Sequence, residues 1–449
     1  MVTEPDHTSP RIISPGEHPI LKEMIDDDAL RVLQKLNSNG YAAYLVGGGV
    51  RDLYLGKKPK DFDISTDARP GQVRKLFSNS RTIGRRFRLV QIFFGKNKVI
   101  EVSTLRSLSE HDLDGPESVL APNNTYGTLD QDAQRRDITI NGLFYEIENQ
   151  TIIDYVGGVS DLDNSVIRVI GTPEKRIQRD PVRMMRVIRH SARNGFTIDR
   201  ESWDAVCNNN SRLPLCPPSR LRDELLRDIY SGYLGCWFEL ARDTELFTRL
   251  FSPYRELLPT EVPDGSSLSC REQLGAICQT IDRHNHDAIE AGRHRPPDYF
   301  MLSLLLLPWA AIRFNLFNTQ LKGPQLFHLA KRIRTEINDS IGLELNLRRS
   351  ARQEITTLLA HLPLIIQHRK SGGWPKWLRK KSYFTNCRTL YYYYREATRQ
   401  IPAPETPPHI APSKRVRVPH EKRRSGSRRN RGRPIISERK KGGIFGLKK

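Results

Sequence analysis

Cysteine is sparse in this 449-residue chain, and no pair has metal-binding spacing. Cys207, Cys216, Cys236, Cys270, Cys278 and Cys387 include no CxxC, and none falls in the first 200 residues. That argues against a disulfide framework or a zinc ribbon and predicts free, buried thiols in a reducing compartment. Met1 to Ile20 lacks a basic segment followed by an apolar core, so no secretory signal is expected there. Long apolar runs are also missing. The longest, Tyr299 to Ile312, contains Pro308 and is too short to cross a bilayer, which predicts a buried helix instead. No internal repeat is found, and no stretch reads GxGxxG or GxxxxGK[ST], which disfavours a dinucleotide fold and a P-loop. A cytoplasmic protein is expected.

Positive charge is abundant. The net charge is +21, which calls for a polyanionic partner: RNA, DNA or an anionic membrane surface. It is unevenly spread, since Ala411 to Lys449 holds 15 Lys or Arg against 2 acids. Such a tail is expected to be disordered and to bind phosphates without sequence preference. It lacks the amphipathic apolar face of a membrane anchor, so no membrane role is assigned.

Periodicity divides the chain. Residues 1 to about 25 read as a loose lead-in, and Asp26 to Leu36 as a helix with acids at its start. Tyr41 to Val46 predicts a strand, Val50 to Leu55 a helix, Phe62 to Ser65 a strand and Gly71 to Phe77 a helix. Leu89–Phe94 and Lys98–Thr104 read as a hairpin turned at Gly95-Lys96-Asn97, and Ile138–Tyr145 with Thr151–Tyr155 as a further strand pair. Beyond residue 160 the pattern turns helical: Asp180 to Asn194, Leu221 to Gly235, Trp237 to Leu250, Tyr299 to Asn315, Pro324 to Asn338 and Ala351 to Leu362. Ile401 to Pro412 is a proline-rich linker. The fold class is therefore α+β: a small mixed-sheet head, an all-α neck and body, and a basic tail.

Two short stretches carry chemistry. Asp61 and Asp63 sit two apart on a predicted strand, so both carboxylates share a face. Such a pair can bridge two divalent ions about 3.5–4 Å apart, the clamp used in phosphoryl transfer. A solvated strand face would look the same. Gly47-Gly48-Gly49-Val50-Arg51-Asp52 joins a strand to a helix, where backbone N–H groups can approach a phosphate and Arg51 can add a bidentate contact. A structural tight turn is the plainer reading. The glycines lie about a dozen residues before the aspartates, and the joint pattern is more specific than either part.

The run Leu45-Val46-Gly47-Gly48-Gly49-Val50-Arg51-Asp52-Leu53, followed by Pro59-Lys60-Asp61-Phe62-Asp63-Ile64-Ser65-Thr66, resembles the head of bacterial poly(A) polymerases and tRNA CCA-adding enzymes. The resemblance continues through Ile83-Gly84-Arg85-Arg86-Phe87, Ile100-Glu101-Val102-Ser103-Thr104-Leu105-Arg106, Arg135-Arg136-Asp137-Ile138-Thr139-Ile140-Asn141 and Arg179-Asp180-Pro181-Val182-Arg183 to Arg189. It implies a nucleotidyltransferase head over 26–160, a helical neck over 161–230 that meets the base and RNA, an RNA-binding body over 231–400, and a linker and tail over 401–449. It implies two Mg²⁺, with Mn²⁺ as the alternative ion, on Asp61 and Asp63, and Glu101 as the third catalytic carboxylate. Gly47, Gly48 and Arg51 would hold the triphosphate. Arg136, Asp137 and Asn141 would contact the nucleotide, and Asp180 with Arg183 would read the base edge. A bland alternative for Asp180 is helix N-capping before Pro181. There are departures: Arg179 stands where the family usually has Glu, Ile138 and Gly142 replace Phe and Ala, and Gln91 takes the place of a common His.

The implied activity is ATP-dependent, template-independent adenylate addition to RNA 3′ ends, with CCA addition to tRNA as the alternative. The proline in Arg179-Asp180-Pro181-Val182-Arg183, the segment from Pro297 to Trp309 and the basic tail favour the first. Trp374 and Trp377 lie where the family often carries an aromatic RNA-facing segment, whereas Tyr391 to Tyr394 read equally as core. An RNA-binding protein with a silenced head is the remaining alternative, opposed by the presence of both strand aspartates. His286-Asp287 alone is a weak signal for a metal phosphohydrolase.

Overall fold

The computed structural model describes residues 9–84, 88–95, 98–107, 125–258, 268–317, 323–370 and 373–399. Arg85-Arg86-Phe87, the turn residues Lys96 and Asn97, and the linker and basic tail lie outside the described residues.

The head is built from β1 (Arg11–Ile13), α1 (Asp27–Asn37), β2 (Ala43–Val46), α2 (Gly48–Tyr54), β3 (Asp63–Thr66), α3 (Pro70–Leu76), β4 (Ser80–Ile83), β5 (Leu89–Phe94), β6 (Lys98–Thr104), α4 (Leu129–Arg135), β7 (Leu143–Glu146) and β8 (Thr151–Asp154). These eight strands form one sheet in the order β1-β8-β7-β2-β3-β6-β5-β4. Every pairing is antiparallel except β3 with β6, which run parallel. The parallel pair sets Asp63 opposite Glu101 and Ser65 opposite Ser103.

Local signals explain most elements. The Asp26 side chain accepts from the backbone N–H of Asp28 and Ala29, capping α1, whose Ala29, Val32, Leu33 and Leu36 face the sheet. Burying each of the larger three is worth about 1.5–3 kcal/mol. The lead-in reading needs correction. β1 pairs with β8, and Ile13, Ile20 and Ile25 are buried. The predicted strand from Ile138 is also shorter. Ile138 makes an isolated bridge to Val169, Thr139–Asn141 is a 3₁₀ turn, and regular pairing starts at Leu143.

The chain continues through α5 (Gly158–Asp163), β9 (Val166–Ile167), α6 (Pro173–Arg179), α7 (Val182–Asn194), β10 (Thr197–Ile198), α8 (Arg200–Asn209), α9 (Pro218–Ile229), α10 (Leu234–Asp243) and α11 (Leu246–Leu250). β9 and β10 form a small parallel pair. The predicted helix Trp237 to Leu250 is split at Glu245, which has a positive φ of 59°. The body is α12 (Cys270–Glu290), α13 (Asp298–Phe314), α14 (Gly323–Asp339), α15 (Ile341–Glu344), α16 (Arg349–Lys370), α17 (Lys376–Arg379) and α18 (Phe384–Arg399).

α13 is the expected buried helix, apolar on nearly every side and covered by α12, α14, α16 and α18. Pro308 interrupts its hydrogen-bond ladder, and the buried Tyr254 hydroxyl enters the gap. It donates to the Leu305 carbonyl at 2.5 Å and accepts from the Trp309 N–H at 3.2 Å. No helix among the described residues is long and apolar enough to cross a membrane.

Candidate active site

The site begins where β2 stops. Gly47 has φ 66° and ψ −132°, a conformation that disfavours any side chain, and it turns the chain into α2. A Cβ on Gly47 would lie 3.4 Å from Arg136 Nη1, so the turn and that guanidinium are close neighbours. Gly49 packs its α-carbon toward Leu45 and the Asp61 carbonyl, holding α2 against the approach to β3.

Asp63 opens β3, while Asp61 lies just before the strand in exposed connecting chain, so strict alternation does not place the pair. Glu101 is on β6, an interior strand between β3 and β5. The Asp63 carboxyl opens to solvent on one side but is crowded by protein on the others. Burial, then Glu101, then Asp61 push its pKa up to about 6, against the pull of Arg136. Glu101 and Asp61 thus add negative charge around Asp63, and the Arg136 guanidinium acts against them. Among the described residues no three or more His, Cys, Asp or Glu side chains form a ready metal cage. A Mg²⁺ ion held by these carboxylates would use one or two of them and complete its shell elsewhere.

Arg136 ties the floor together. Its Nη2 donates to Ser65 Oγ at 3.2 Å and Asp132 Oδ2 at 3.0 Å, and its Nη1 to the Asn141 carbonyl at 3.2 Å. The guanidinium lies 4.9 Å from the centre of the Phe144 ring. Gln91, opposite Glu101 in register, donates from Nε2 to Glu101 Oε1 at 2.9 Å and so orients the third carboxylate.

Arg51 is elsewhere. It is 1% exposed, and its guanidinium donates to Asp52 Oδ1 at 2.9 and 2.7 Å and to Asn141 Oδ1 at 2.7 Å. His190 completes this group, with Nδ1 3.2 Å from Arg51 Nη1 and Nε2 3.3 Å from Asn141 Nδ2. Burial beside Arg51, Arg189 and Arg193 keeps the imidazole far below the usual histidine range, hence neutral. The structure therefore joins Arg51 to Asn141 but turns Arg51 inward. Gly47 and Arg136 stand beside the carboxylates instead.

The base-reading candidates are held by ion pairs. Asp137 pairs with Arg183 Nη1 at 2.9 Å and with Arg186, and burial is outweighed by these two arginines, so its carboxyl stays well below the ordinary range. Asp180 takes both Nη atoms of Arg220 at 2.7 Å. It ends α6 and makes no side-chain cap to α7, so the capping alternative does not hold. Arg183 Nε lies 4.0 Å from Asp180 Oδ2 and is buried without a hydrogen-bond partner. Arg186 and Arg189 then converge on Glu224 of α9, and Arg189 continues to Asp228. Arg186, Arg220, Glu224 and His190 carry much of this network. Their sequence signals are the helical spacing of Arg186 and His190 with Arg183 and Arg189 on α7, and the i, i+4 spacing of Arg220, Glu224 and Asp228 on α9.

The departures from the family pattern have local meaning. A Cβ at Gly142 would come within 2.6 Å of Val156 Cγ2, so this chain does not admit the usual alanine without movement. Arg179 sits half-buried in the last turn of α6. His286 meets the Gly232 carbonyl at 3.3 Å and the Tyr233 ring edge-on, and among the described residues it joins no metal-binding group of three or more His, Cys, Asp or Glu.

Residues 43–168 match the family described as the poly A polymerase head domain, and residues 195–257 match the probable RNA and SrmB-binding site of polymerase A. Over 247 residues the chain is 45% identical to poly(A) polymerase I of Escherichia coli O6:H1, covering 54% of this chain and 53% of that protein. Over 252 residues it is 37% identical to the CCA-adding enzyme of Bacillus subtilis, covering 55% of this chain and 62% of that protein. The chain spans about half the length of the curated relatives it matches. The Bacillus stearothermophilus CCA-adding enzyme in complex with CTP shares the fold, with a TM-score of 0.57 at 22% identity over 84% of this chain and 78% of that one. From its head into the helical neck, the chain is homologous to bacterial poly(A) polymerase I and to CCA-adding enzymes.

Proposed function

We propose that this protein is a template-independent polynucleotide adenylyltransferase that transfers AMP from ATP to RNA 3′ ends in the cytoplasm and releases pyrophosphate. The observation that carries the reading is the register of β3 with β6, which sets Asp63 against Glu101, with Asp61 adjoining and Arg136 and the Gly47 turn beside them. The domain division follows the resemblance: head 26–160, neck 161–230, body 231–400.

Asp61 and Asp63, with Glu101 beside them, would hold two divalent ions, Mg²⁺ or Mn²⁺, which supply Lewis-acid activation of the RNA hydroxyl and charge relief at the phosphates. The RNA 3′-hydroxyl gives its proton to solvent as its oxygen bonds to the α-phosphorus, the bond from that phosphorus to the oxygen bridging the β-phosphate breaks, and pyrophosphate carries the electron pair away. Arg136 supplies positive charge beside the carboxylates, and Gly47 and Gly48 let phosphate oxygens approach the backbone. Gln91 keeps Glu101 oriented. Arg51 acts indirectly, by fixing Asn141. Asp180 and Arg183 present an acceptor and a donor to the base edge once it displaces their present partners.

Adenylate addition is favoured over CCA addition by the higher identity to poly(A) polymerase I. The CCA reading is kept because CCA-adding enzymes share the fold over most of the chain. Primer extension with purified protein and Mg²⁺ separates them. A generic RNA and a tRNA lacking its CCA end are each given ATP, CTP or both. A long ladder on generic RNA with ATP alone is expected. Addition that stops after three residues, on tRNA only, would replace the proposal with CCA addition, and no addition under any condition would leave a silenced head.

A further inference from the structure

His190 takes no part in the proposed transfer, yet its ring faces two residues of the nucleotide site. It stands near the end of α7, half-buried. Nδ1 lies 3.2 Å from Arg51 Nη1, and Nε2 lies 3.3 Å from Asn141 Nδ2. Both of these neighbours are donors. A guanidinium has no acceptor, so Arg51 can only give. It gives an N–H to Asn141 Oδ1 at 2.7 Å, which turns the amide so that Nδ2 faces the ring. Flipping the amide would set its NH₂ against the guanidinium, donor on donor.

A neutral imidazole carries one N–H and one acceptor nitrogen, so it can satisfy only one of the two. The charged donor prevails, because a charge-assisted hydrogen bond is about twice as strong as a neutral one. Nδ1 therefore accepts from Arg51, and the proton sits on Nε2. Burial beside Arg51, Arg189 and Arg193 keeps a second proton off the ring. The Nε2–H and the Asn141 amide are left facing each other as two donors, and among the described residues neither has another partner. An oxygen that accepts from both would satisfy them together.

The surroundings select the kind of oxygen. Asn141 Oδ1 and His190 Nδ1 both already accept from Arg51, so the two side chains turn only donors toward this spot. A ribose hydroxyl would bring a proton that neither can take, whereas a phosphate oxygen only accepts. Asp52, the acid of this group, is held by Arg51 at 2.7 Å and by Arg193 at 2.9 Å, which offsets its repulsion of an anion. The pair also adjoins the glycine turn through its arginines. A Cβ on Gly48 would stand 3.4 Å from Arg51 Nη2, and the Asn141 carbonyl accepts from Arg136, whose Nη1 would be equally close to a Cβ on Gly47.

We propose that His190 binds the incoming nucleotide, its Nε2–H and the Asn141 amide donating together to one non-bridging phosphate oxygen of the triphosphate. The nucleotide as the source of that phosphate rests on the proposed function. The pairing of the two donors rests on the geometry alone.

Nitrogen-15 NMR of the full chain labelled at its histidine rings tests this, with the His190 signal assigned by its loss in His190→Gln. The free protein should show the Nε2–H tautomer, and inorganic tripolyphosphate with Mg²⁺ should move that proton downfield. The Nδ1–H tautomer, or a signal that tripolyphosphate leaves unmoved, overturns the proposal. Equilibrium binding supplies the second readout. In His190→Phe, Kd should rise about tenfold for ATP, dATP and tripolyphosphate alike, because a hydrogen bond to a charged oxygen is lost. His190→Gln, which returns an N–H near the Nε2 position, should recover most of the affinity. Equal losses in the two variants would reduce His190 to a structural support of Arg51 and overturn the contact, as would no loss in either. A loss for ATP that spares dATP and tripolyphosphate would overturn the phosphate in favour of a ribose hydroxyl. A protein that extends RNA yet fails these tests loses only the His190 contact. One that binds tripolyphosphate through His190 yet extends no RNA loses only the transferase assignment.

Discussion

Glu224→Ala removes the carboxylate on which the arginines of α7 converge. Glu224 is buried and accepts from Arg186 Nη2 at 2.8 Å, from Arg189 Nη1 at 2.7 Å and from Arg227 at 3.3 Å. Truncation leaves Arg186 with Asp137 and Arg189 with Asp228, so neither guanidinium is stranded, but one positive charge goes unbalanced in a poorly solvated place. Breaking a buried pair costs about 3–5 kcal/mol, and the surviving partners argue for about 3. Asp228 adds a pH signature. Burial, against the pull of Arg189, pushes its carboxyl up to about 7, with Glu224 contributing to the rise. The folded state therefore keeps a proton that the unfolded state releases above about 3.9, and wild-type stability falls between roughly pH 4 and 7 on this group's account. Without Glu224 the Asp228 pKa drops and the variant falls less steeply. The loss on mutation should thus be larger at pH 5 than at pH 7.5. Urea unfolding of both proteins at the two pH values measures it. A loss under about 1 kcal/mol, or one that grows toward pH 7.5, would refute the network as described.

Three further perturbations test other parts. Tyr254→Phe should cost about 1–3 kcal/mol, because the Leu305 carbonyl and Trp309 N–H lose their shared partner at the Pro308 break; a thermal melt and faster amide exchange at Trp309 would register it, and an unchanged melt would count against it. Gly142→Ala should destabilise by about 1–3 kcal/mol through its clash with Val156, and Val156→Ala should restore most of the loss if the clash is the cause. Because Asp63 must be ionised to meet a cation and its carboxyl is pushed up to about 6, apparent Mg²⁺ affinity should fall up to about tenfold per pH unit below that value and level off above it. Mg²⁺ titrations of activity from pH 5 to 8 would show this, and an affinity flat across that range would remove Asp63 from the metal site.

The readable parts of the sequence were those whose partners are close in the chain. β5 and β6 fall at the residues their alternation predicts, and α1 follows its acid cap and apolar stripe. The pairing of β1 with β8 spans some 140 residues, and no local pattern in Arg11–Ile13 announces it. α12 escaped notice because its Cys, Asn and His residues blur the helical period, although Ser269 and Glu272 form a capping box at its start. In the site, the residue types were legible but their partners were not. The inward turn of Arg51 depends on Asn141 and on His190 of the neck, and the hold on Asp180 depends on Arg220, 40 residues further along the neck, so neither partner is near in the chain.

The ion pairs of Asp180 and Arg183 also bear on how a base would be chosen. These side chains already have company: Arg220 on one, Asp137 on the other. An arriving base edge would trade places with those partners rather than fill a void, so what counts is the exchange energy, a small difference between two large and similar terms. A base offering one hydrogen bond too few would not simply bind more weakly. It would leave the internal pairs shut, and the pocket would behave as though no base had come.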